Sequence, residues 1–514
     1  MKKITRLLAA LVALLLVLSG CASSGGGASD GEKDSLVFSI NADITTVDAA
    51  KSKDLVTNIV KIQMYDTLIR KTPEGNLEPG LAEDWEISDD AMHVDFTIRQ
   101  GVKFHNGVTM TAEDVAFSLN RAIESSFTSS LTNAMQDAEV LDDTHVRLNL
   151  KMPFGPVLQC LTDGCMGIVS KRAVEEMGEE FEKNPVGTGP YQFVEWKSGE
   201  RIELKAFEDY WRGSPSIKNL TFLVMTNKNT AAIALENGEI DVLYAPSSSD
   251  REHLMSLPNV QYLETEVASY YYVLAFNTES EIFSNQKLRE AISYAINRED
   301  IVLGALDGMG APVEMPIAPN AFGYDPDFQG HPYDVDKAKE LMAEAGYPDG
   351  LTVTIKLNQS SVYTRPAEIV QAQLREIGIN LEFELMERSA YLTDVTTDCN
   401  YDITLYMFSN AYDDADYVFY GRLYSENIGS TNYTRYSNPE VDEMIMQART
   451  SSDEEERMQL YEQISQVVID DVPFIPLATG ASNIAANSQL SGVQPSPNEL
   501  HYVFDYAWNT DQAS

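Results

Sequence analysis

The 514-residue chain contains 79 acidic and 37 basic side chains, a formal net charge of −42. This charge argues against nucleic-acid binding, because phosphates require a basic surface, and against docking on anionic lipid. With 44% hydrophobic residues, the composition is that of an ordinary globular protein, long enough for two or three domains.

The N-terminus has the pattern of a secreted lipoprotein. Three basic residues precede an apolar run at 7–18, which is too short to span a membrane. The segment 18–21, LSGC, resembles the bacterial lipobox. We therefore predict a signal peptide at 1–20, an acylated Cys21 and a flexible tether at 21–35; a cleaved signal peptide with an incidental cysteine is the alternative. No later run is apolar enough to cross a bilayer, so membrane contact is expected through the lipid anchor only.

Three further cysteines follow the predicted anchor. Cys160 and Cys165 lie in a predicted loop. They could form a small disulfide in an oxidising compartment, or they could remain free buried thiols. Their spacing is not one that binds zinc.

Local patterns in the first half predict short strands and capped helices. In chain order they are a strand at 36–40, a helix near 54–67, a hairpin around Asp89 and Asp90, a strand through Val94, Phe96 and Ile98, and a turn at Asn106 and Gly107. Thr111 and Asp114 form a capping box that predicts the start of a helix.

The second half alternates between helices and strands. The predicted elements are a helix capped by Asp334 and ended by Gly346, a strand at 351–357, a helix at 366–377, a strand at 381–385, a strand at 403–408, a helix at 439–449, a helix capped by Ser452 that runs to about Asp470, and a strand at 474–477. This alternation predicts an α/β fold with a parallel sheet and right-handed crossovers.

Motifs along nearly the whole mature chain match those of one family in the expected order. The matching residues include Leu81, Trp85, Phe96, Arg99, Gly101, Phe104, Gly107, Thr111 and Asp114, then 187–191, 209–211, 237–241, 276–277, 288–296, 338–346, 374–378 and 432–442. They resemble the family 5 extracellular solute-binding proteins of ABC importers, the dipeptide, oligopeptide and nickel group. The run 414–417, DADY, resembles the subgroup labelled glutathione- or dipeptide-binding.

The resemblance implies a two-lobed periplasmic-binding-protein-like fold of type II, in the large cluster C form, with an extra domain in the first lobe. The implied division is 36–65 for the first part of the lobe 1 core, 66–186 for the additional domain, 187–275 for the second part of lobe 1, 276–480 for lobe 2 and 481–514 for the C-terminal part of lobe 1. The chain should cross between lobes near 275–278 and 477–482, and these two crossings would form a hinge.

The segment 401–424 is the main candidate for the binding site. A buried strand leads into a loop where aromatic and acidic residues alternate, and aromatic walls with a few fixed acceptors are typical of a small-molecule site. An ordinary strand end whose acids face water is the alternative. The residues predicted from this segment and from the resemblance to contact the solute are Lys53, Leu55, Phe127, Tyr270, Phe408, Ser409, Asn410, Tyr412, Asp413, Asp414, Asp416 and Tyr417.

This loop departs from the peptide-binding pattern. The resemblance implies a tryptophan followed three residues later by an aspartate that pairs with the ammonium group of the solute. Phe408 and Ala411 occupy those two positions. Asp413, Asp414 or Asp416 could replace the missing acid, or cap a turn, or the solute could lack an amine.

The resemblance implies that the protein is a monomeric, lipid-anchored receptor outside the bacterial membrane. It would capture a short peptide or glutathione-like solute and deliver it to the membrane subunits of an ABC permease. Binding of chelated nickel or of an oligosaccharide is the alternative. No catalytic motif, cofactor site or metal-ligand spacing supports an enzyme: the six histidines are scattered, and an SxxK match at 284–287 lacks its companion motifs.

Overall fold

The computed structural model describes residues 33–72 and 75–509. Cys21, the predicted signal peptide and most of the predicted tether lie outside the described residues. The strands are β1 Ser35–Ile40, β2 Ile69–Lys71, β3 Leu77–Pro79, β4 Ala82–Ile87, β5 His93–Ile98, β6 Met135–Asp142, β7 His145–Leu150, β8 Tyr191–Lys197, β9 Arg201–Ala206, β10 Asn219–Val224, β11 Val242–Tyr244, β12 Val260–Glu264, β13 Tyr270–Phe276, β14 Gly310–Pro312, β15 Leu351–Asn358, β16 Ile379–Met386, β17 Ile403–Ser409, β18 Phe474–Pro476, β19 Ala478–Gly480, β20 Asn483–Asn487, β21 Leu490–Ser491 and β22 Ala507–Trp508.

The helices lie between these strands and cover the sheets. They occupy Leu55–Met64, Ala112–Glu124, Ser129–Thr132, Val157–Cys160, Lys171–Met177, Lys228–Glu236, Arg251–Ser256, Gln286–Tyr294, Arg298–Ala305, Val335–Glu344, Ser361–Glu376, Arg388–Leu392, Asp416–Val418, Pro439–Thr450 and Glu454–Asp471.

The first lobe is built on a seven-stranded sheet with the order β12-β20-β11-β1-β10-β9-β8. β1 is parallel to both β10 and β11, and β20 returns from the C-terminal part of the chain to lie between β11 and β12. A separate four-stranded antiparallel sheet, β4-β5-β7-β6, packs into the same hydrophobic core. The helix Ala112–Glu124 contacts this second sheet and begins at the predicted capping box of Thr111 and Asp114.

The second lobe is built on a five-stranded sheet with the order β16-β15-β17-β13-β18. β15 is parallel to β16 and β17, which confirms the parallel arrangement predicted from the helix–strand alternation, while β13 and β18 join antiparallel. Separate hydrophobic clusters cover its two faces. The architecture is the two-lobed α/β fold predicted from the sequence.

The predicted first crossing between lobes is wrong in position. β13 lies entirely in the five-stranded sheet of the second lobe, whereas a crossing at 275–278 would have left most of this strand in the first lobe. The chain instead leaves the first sheet after Glu264 and returns to it at Asn483, so we propose crossings at 265–269 and 481–482. These two segments lie side by side, since Thr265 N donates to Ser482 O at 2.9 Å and Ser482 N donates to Thr265 Oγ1 at 2.9 Å.

Most predicted helix starts are confirmed. Asp54 caps the helix Leu55–Met64 and Asp334 caps Val335–Glu344. The predicted cap at Ser452 is wrong: Asp453 accepts the N–H groups of Glu455 and Glu456 instead, because its carboxylate reaches both of these unpaired donors.

The cysteines of the described residues are free. Cys160 and Cys165 are both buried, and Cys165 Sγ lies 2.9 Å from the carbonyl oxygen of Ser52. Burial raises the pKa of both thiols. Of the two alternatives left open by the sequence, the structure therefore shows buried thiols rather than a disulfide.

His105 connects the loop after β5 with the segment that precedes β8. His105 Nε2 lies 3.0 Å from the carbonyl oxygen of Gly189, and Nδ1 accepts the N–H of Gly187 at 3.3 Å. These two bonds require the neutral ring with its proton on Nε2. Burial lowers the pKa of His105 to about 4, so the ring remains neutral at physiological pH.

We predict that acid destabilises the protein through His105. Because the folded-state pKa of about 4 lies below the unfolded-state value of about 6.5, the unfolded chain binds more protons between these pH values. Stability is therefore complete above about pH 6.5 and falls as the pH drops toward 4, by up to about 3 kcal/mol from this residue.

Urea unfolding from pH 4 to 7 measures this effect. The His105→Gln variant should show a flatter dependence of unfolding free energy on pH than the wild type, with the surface variant His253→Gln as a control. Equal pH dependence in the wild type and His105→Gln would contradict the assignment.

Candidate functional site

The carboxyl edge of the parallel strands in the second lobe forms an open depression of about 820 Å³. Ligands of α/β sheets commonly bind outside this edge. The depression is lined by Asn358, Gln359, Ser360, Val362, Tyr363, Leu385, Glu387, Arg388 and Met407. Val362 and Leu385 are about half exposed, at 47% and 54%, so the depression offers apolar surface to a solute.

The depression lies at the boundary between the lobes. Arg365, in the helix Ser361–Glu376, forms two hydrogen bonds to the Asp307 carboxylate at 3.2 and 2.6 Å. Asp307 also accepts a hydrogen bond of 2.8 Å from Ser248, which belongs to the first lobe and follows β11. The carboxyl edges of the two principal sheets are therefore near each other here.

The loop after β17 is held in shape by Asn410. The Asn410 side chain accepts the N–H groups of Tyr412 and Asp414 and donates to the carbonyl of Asp414 at 3.1 Å. The backbone N–H of Asn410 donates to Ser269 O, so the loop is attached to the crossing segment 265–269. The 401–424 segment therefore reaches the lobe boundary, as predicted.

Asp414 is completely buried and is already neutralised inside the second lobe. Its Oδ2 accepts Arg457 Nη2 at 2.6 Å, and its Oδ1 accepts Tyr461 Oη at 2.9 Å and Asp416 N at 3.0 Å. Burial lowers the pKa of Arg457, but the adjacent Asp414 carboxylate more than offsets this and the net pKa is raised. Both Asp414 oxygens are occupied, so the geometry favours the structural role for this residue.

Asp416 is 1% exposed and pairs with Arg449. Tyr412 Oη donates to the same carboxylate oxygen at 2.7 Å. Burial raises the pKa of Asp416, and the Arg449 guanidinium opposes that shift. The other oxygen, Oδ1, is enclosed and has no donor among the described residues. Asp416 thus stabilises the loop, and its predicted contact with the solute stays a prediction.

Asp413 is the one of the three acids that joins the two lobes. Lys71 Nζ, from β2 of the first lobe, lies 2.7 Å from Asp413 Oδ2, with the side chains 12% and 15% exposed. Asn320 Nδ2 donates to Asp413 Oδ1 at 2.8 Å, and Asp413 adopts a left-handed backbone with φ of 52°. A partly buried pair of this kind stabilises the arrangement in which the lobes are in contact.

Tyr412 inserts from the second lobe into the core of the first. Its ring lies edge-on to Phe154 at 6.4 Å and belongs to the first-lobe hydrophobic cluster. Arg449 reaches the same surface, where its guanidinium packs over Phe154 at 4.6 Å and donates to Asn133 Oδ1 at 3.3 Å. These contacts hold the lobes together at the loop.

The other predicted site residues are distributed unevenly. Lys53 donates to Ser130 Oγ at 2.8 Å, and Leu55 and Phe127 are exposed in the same region of the first lobe. Phe408 is fully buried beneath Arg422, whereas Ser409 is exposed. Tyr270 and Tyr417 are half-buried near the lobe boundary. Contact between these residues and a solute stays a prediction.

The sequence did not indicate several of the residues that lie at the boundary between the lobes. Lys71, Asn320, Arg449 and Arg457 all act on the acidic loop from distant parts of the chain, and no local pattern marks them. Tyr363 and Arg388 follow strand ends in a predicted parallel sheet. Their position at those carboxyl ends was a usable signal.

Other places in the structure are less suited to a solute. A small cavity of about 20 Å³ between Tyr65, Asp66 and Tyr210 has room for about one water molecule. Within residues 33–72 and 75–509, no group of three or more His, Cys, Asp or Glu side chains is arranged to hold a metal ion. None of the helices in these ranges has the length and apolar character needed to cross a membrane.

We predict that Asp414 stabilises the fold through its pair with Arg457. Asp414→Asn removes the charge but not the shape, leaving Arg457 buried without its counter-charge, and should lower the free energy of unfolding by about 3–5 kcal/mol. Replacing both residues, as Asp414→Asn with Arg457→Met, should restore part of the loss. Urea unfolding measures both effects, with Asp402→Asn as a control in the same segment. An Asp414→Asn protein as stable as the wild type would show that the pair is not structural.

Comparisons with known proteins agree with this geometry. The family described as bacterial extracellular solute-binding proteins, family 5 Middle, matches residues 76–430. The heme-binding protein A of Haemophilus influenzae is 31% identical over 468 residues, which cover 85% of each chain. The glutathione-binding protein GsiB of Salmonella paratyphi A is 29% identical over 483 residues, covering 92% of this chain and 94% of that one.

A solved structure shows the same fold. The periplasmic binding protein DppA of Helicobacter pylori, in complex with the peptide STSA, superposes with a TM-score of 0.77. It is 28% identical, and the match covers 93% of this chain and 99% of that one. The chain described here therefore belongs to the bacterial extracellular solute-binding proteins, family 5, and is a solute-binding protein of ABC import.

Proposed function

We propose that this protein captures a short peptide or glutathione-like solute between its lobes and delivers it to the permease of an ABC importer. The single observation that carries the proposal is the open depression at the carboxyl edge of β15, β16 and β17, on the lobe boundary. Its volume of about 820 Å³ is within the range of small-molecule sites and suits a short peptide. The glutathione-binding relative and the peptide-bound neighbour support this solute class.

The lining of the depression suits a solute with both apolar and charged groups. Val362, Leu385 and Met407 provide apolar surface, and Tyr363 provides a ring. No carboxylate of the described residues lies within 4 Å of the Arg388 guanidinium, so this cation is available to a carboxylate of the solute. Burial of the apolar groups would supply affinity and Arg388 would orient the solute.

Binding would act on the equilibrium between open and closed lobes. A solute that touches both lobes contacts its full site only in the closed form, so it shifts the population toward that form. The two crossing segments at 265–269 and 481–482 are the places where the backbone would turn. The role proposed here is binding and delivery, without catalysis.

We predict that peptides and glutathione stabilise the protein against heat. A solute present at 100 times its Kd should add about 2.7 kcal/mol to the free energy of unfolding, because it binds only the folded state. Thermal shift measurements with di- and tripeptides, glutathione, heme, nickel with histidine, and oligosaccharides would identify the class. Stabilisation by heme, nickel or oligosaccharide, with none by peptides or glutathione, would overturn the proposal.

We also propose that an acyl chain on Cys21 anchors the mature protein to the bacterial membrane outside the cytoplasm, at the cell surface or the periplasmic face. The predicted signal peptide and lipobox support this. Cys21→Ser should then move the protein from the membrane fraction to the soluble fraction after cell disruption. An unchanged distribution would show that Cys21 is not the anchor.

A further inference from the structure

Glu499 lies in the C-terminal part of the first lobe, in a loop that reaches back to the crossing segments. Its Oε2 accepts a hydrogen bond from Tyr244 Oη, and Tyr244 is the last residue of β11. The loop is fixed on both sides, because Glu499 N donates to Ser496 O at 2.9 Å and Ser269 N donates to Pro497 O at 2.8 Å. The carboxylate is therefore held at the carboxyl edge of the first sheet, beside the hinge.

The Glu499 carboxylate is half-buried but lacks an ion-pair partner. No lysine, arginine or histidine nitrogen of the described chain lies within 4 Å of it, in contrast to the paired Asp413, Asp414 and Asp416. Its Oε1 receives no hydrogen bond from the described residues and is not enclosed. A buried charge without a partner is costly, and burial accordingly raises the pKa of Glu499.

The backbone of Glu499 is strained. Its φ of 60° lies in the left-handed region, which residues other than glycine and asparagine seldom adopt. Strained positions persist where the surrounding structure fixes them, and they occur often in ligand sites. In this conformation the Glu499 carboxylate is fixed through Oε2, and its Oε1 remains open.

Aromatic side chains connect Glu499 with the depression of the second lobe. Tyr270 follows Ser269, whose N–H donates to Pro497 O at 2.8 Å, so Tyr270 lies next to the loop that carries Glu499. Burial, with a smaller contribution from the Glu499 charge, raises the pKa of Tyr270 to about 12. Tyr270 lies edge-on to Tyr272 at 6.2 Å, and Tyr272 is paired in register with Met407, which lines the depression. Aromatic side chains thus extend from the loop of Glu499 in the first lobe to the depression of the second lobe.

We propose that Glu499 is the acceptor for a cationic group, such as the ammonium group of a peptide, in the solute that this protein carries. The proposal rests on the proposed function and deepens it. An ammonium group at Oε1 would gain a charge-assisted hydrogen bond and would lie against the rings of Tyr244 and Tyr270, which favour cations. The remainder of the solute would follow these aromatic side chains toward Arg388, so the two ends of the site have opposite charge.

Lys228 offers a competing account of Glu499. It is the first residue of the helix Lys228–Glu236; burial lowers its pKa, and the Glu499 charge opposes that shift. If Lys228 were the structural partner of Glu499, removing its charge would destabilise the fold and leave solute affinity unchanged. If Lys228 only lies near the site, Lys228→Met should increase the affinity for a cationic solute, because a competing positive charge is gone.

The test compares solutes that differ only in the amine. Isothermal titration calorimetry would measure the Kd of four solutes for the mature protein, which lacks the predicted signal peptide. The solutes are trialanine, N-acetyl-trialanine, glutathione and N-acetyl-glutathione. We expect the wild type to bind at least one amine form about ten- to a hundred-fold more tightly than its acetylated form. Glu499→Gln, which keeps the shape, should reduce this ratio to below about three.

Controls separate binding from folding. Glu252→Gln, at an exposed position of the same lobe, should keep the wild-type ratio, and unfolding midpoints should show that every variant is folded. An unchanged amine preference in Glu499→Gln, or a Lys228→Met variant that loses stability and gains no affinity, would overturn the assignment and leave the proposed function standing. A wild type that binds none of the four probes would overturn both.

Discussion

The neutralisation of buried acids by arginines is the constraint on which the boundary between the lobes depends. Two carboxylates of one loop, Asp414 and Asp416, lie in an interior where a lone charge would be very costly. Arg457 and Arg449 compensate them from two successive helices. The loop is thereby fixed so that Tyr412 projects into the first lobe, and the contact between the lobes follows from a charge arrangement within one of them.

This difference among the acids also determines where a solute can be recognised. The paired carboxylates have little left to offer a ligand, since their oxygens are occupied or enclosed. Two charged groups remain open. Arg388 lines the depression at the carboxyl edge of the second-lobe sheet, and Glu499 lies at the carboxyl edge of the first-lobe sheet. Strongly acidic composition therefore reflects the surface and the internal pairs more than the specificity of the site.

Local sequence patterns predicted the elements well but not their partners. The alternation at 351–357 and 403–408 and the helix caps at Thr111 and Asp334 depend only on nearby residues, and the structure confirms them. β13 is apolar throughout, and such a strand has the same pattern whichever sheet it joins, which is why the crossing was placed too late. At 451–453 three residues in a row can cap a helix, so the sequence alone could not select Asp453.

None of the residues predicted to contact the solute lines the depression, whose lining comes from three separate segments of the chain. The sequence indicates the loop after β17 because its aromatic and acidic residues are adjacent in the chain, and its contact with a solute stays a prediction. Arg449 and Arg457 lie more than thirty residues beyond it, and the role of each acid depends on which cation folding brings to it. Glu499 was missed because a single acid in a polar loop has no distinguishing pattern until the backbone places it beside Tyr244.

We propose that the solute is held between two lobes that close around it. Small-angle X-ray scattering of the mature protein, with and without the solute that stabilises it most, tests this directly. We expect the radius of gyration to decrease on saturation, because the population shifts from open to closed forms. A radius of gyration unchanged by a saturating solute would contradict it.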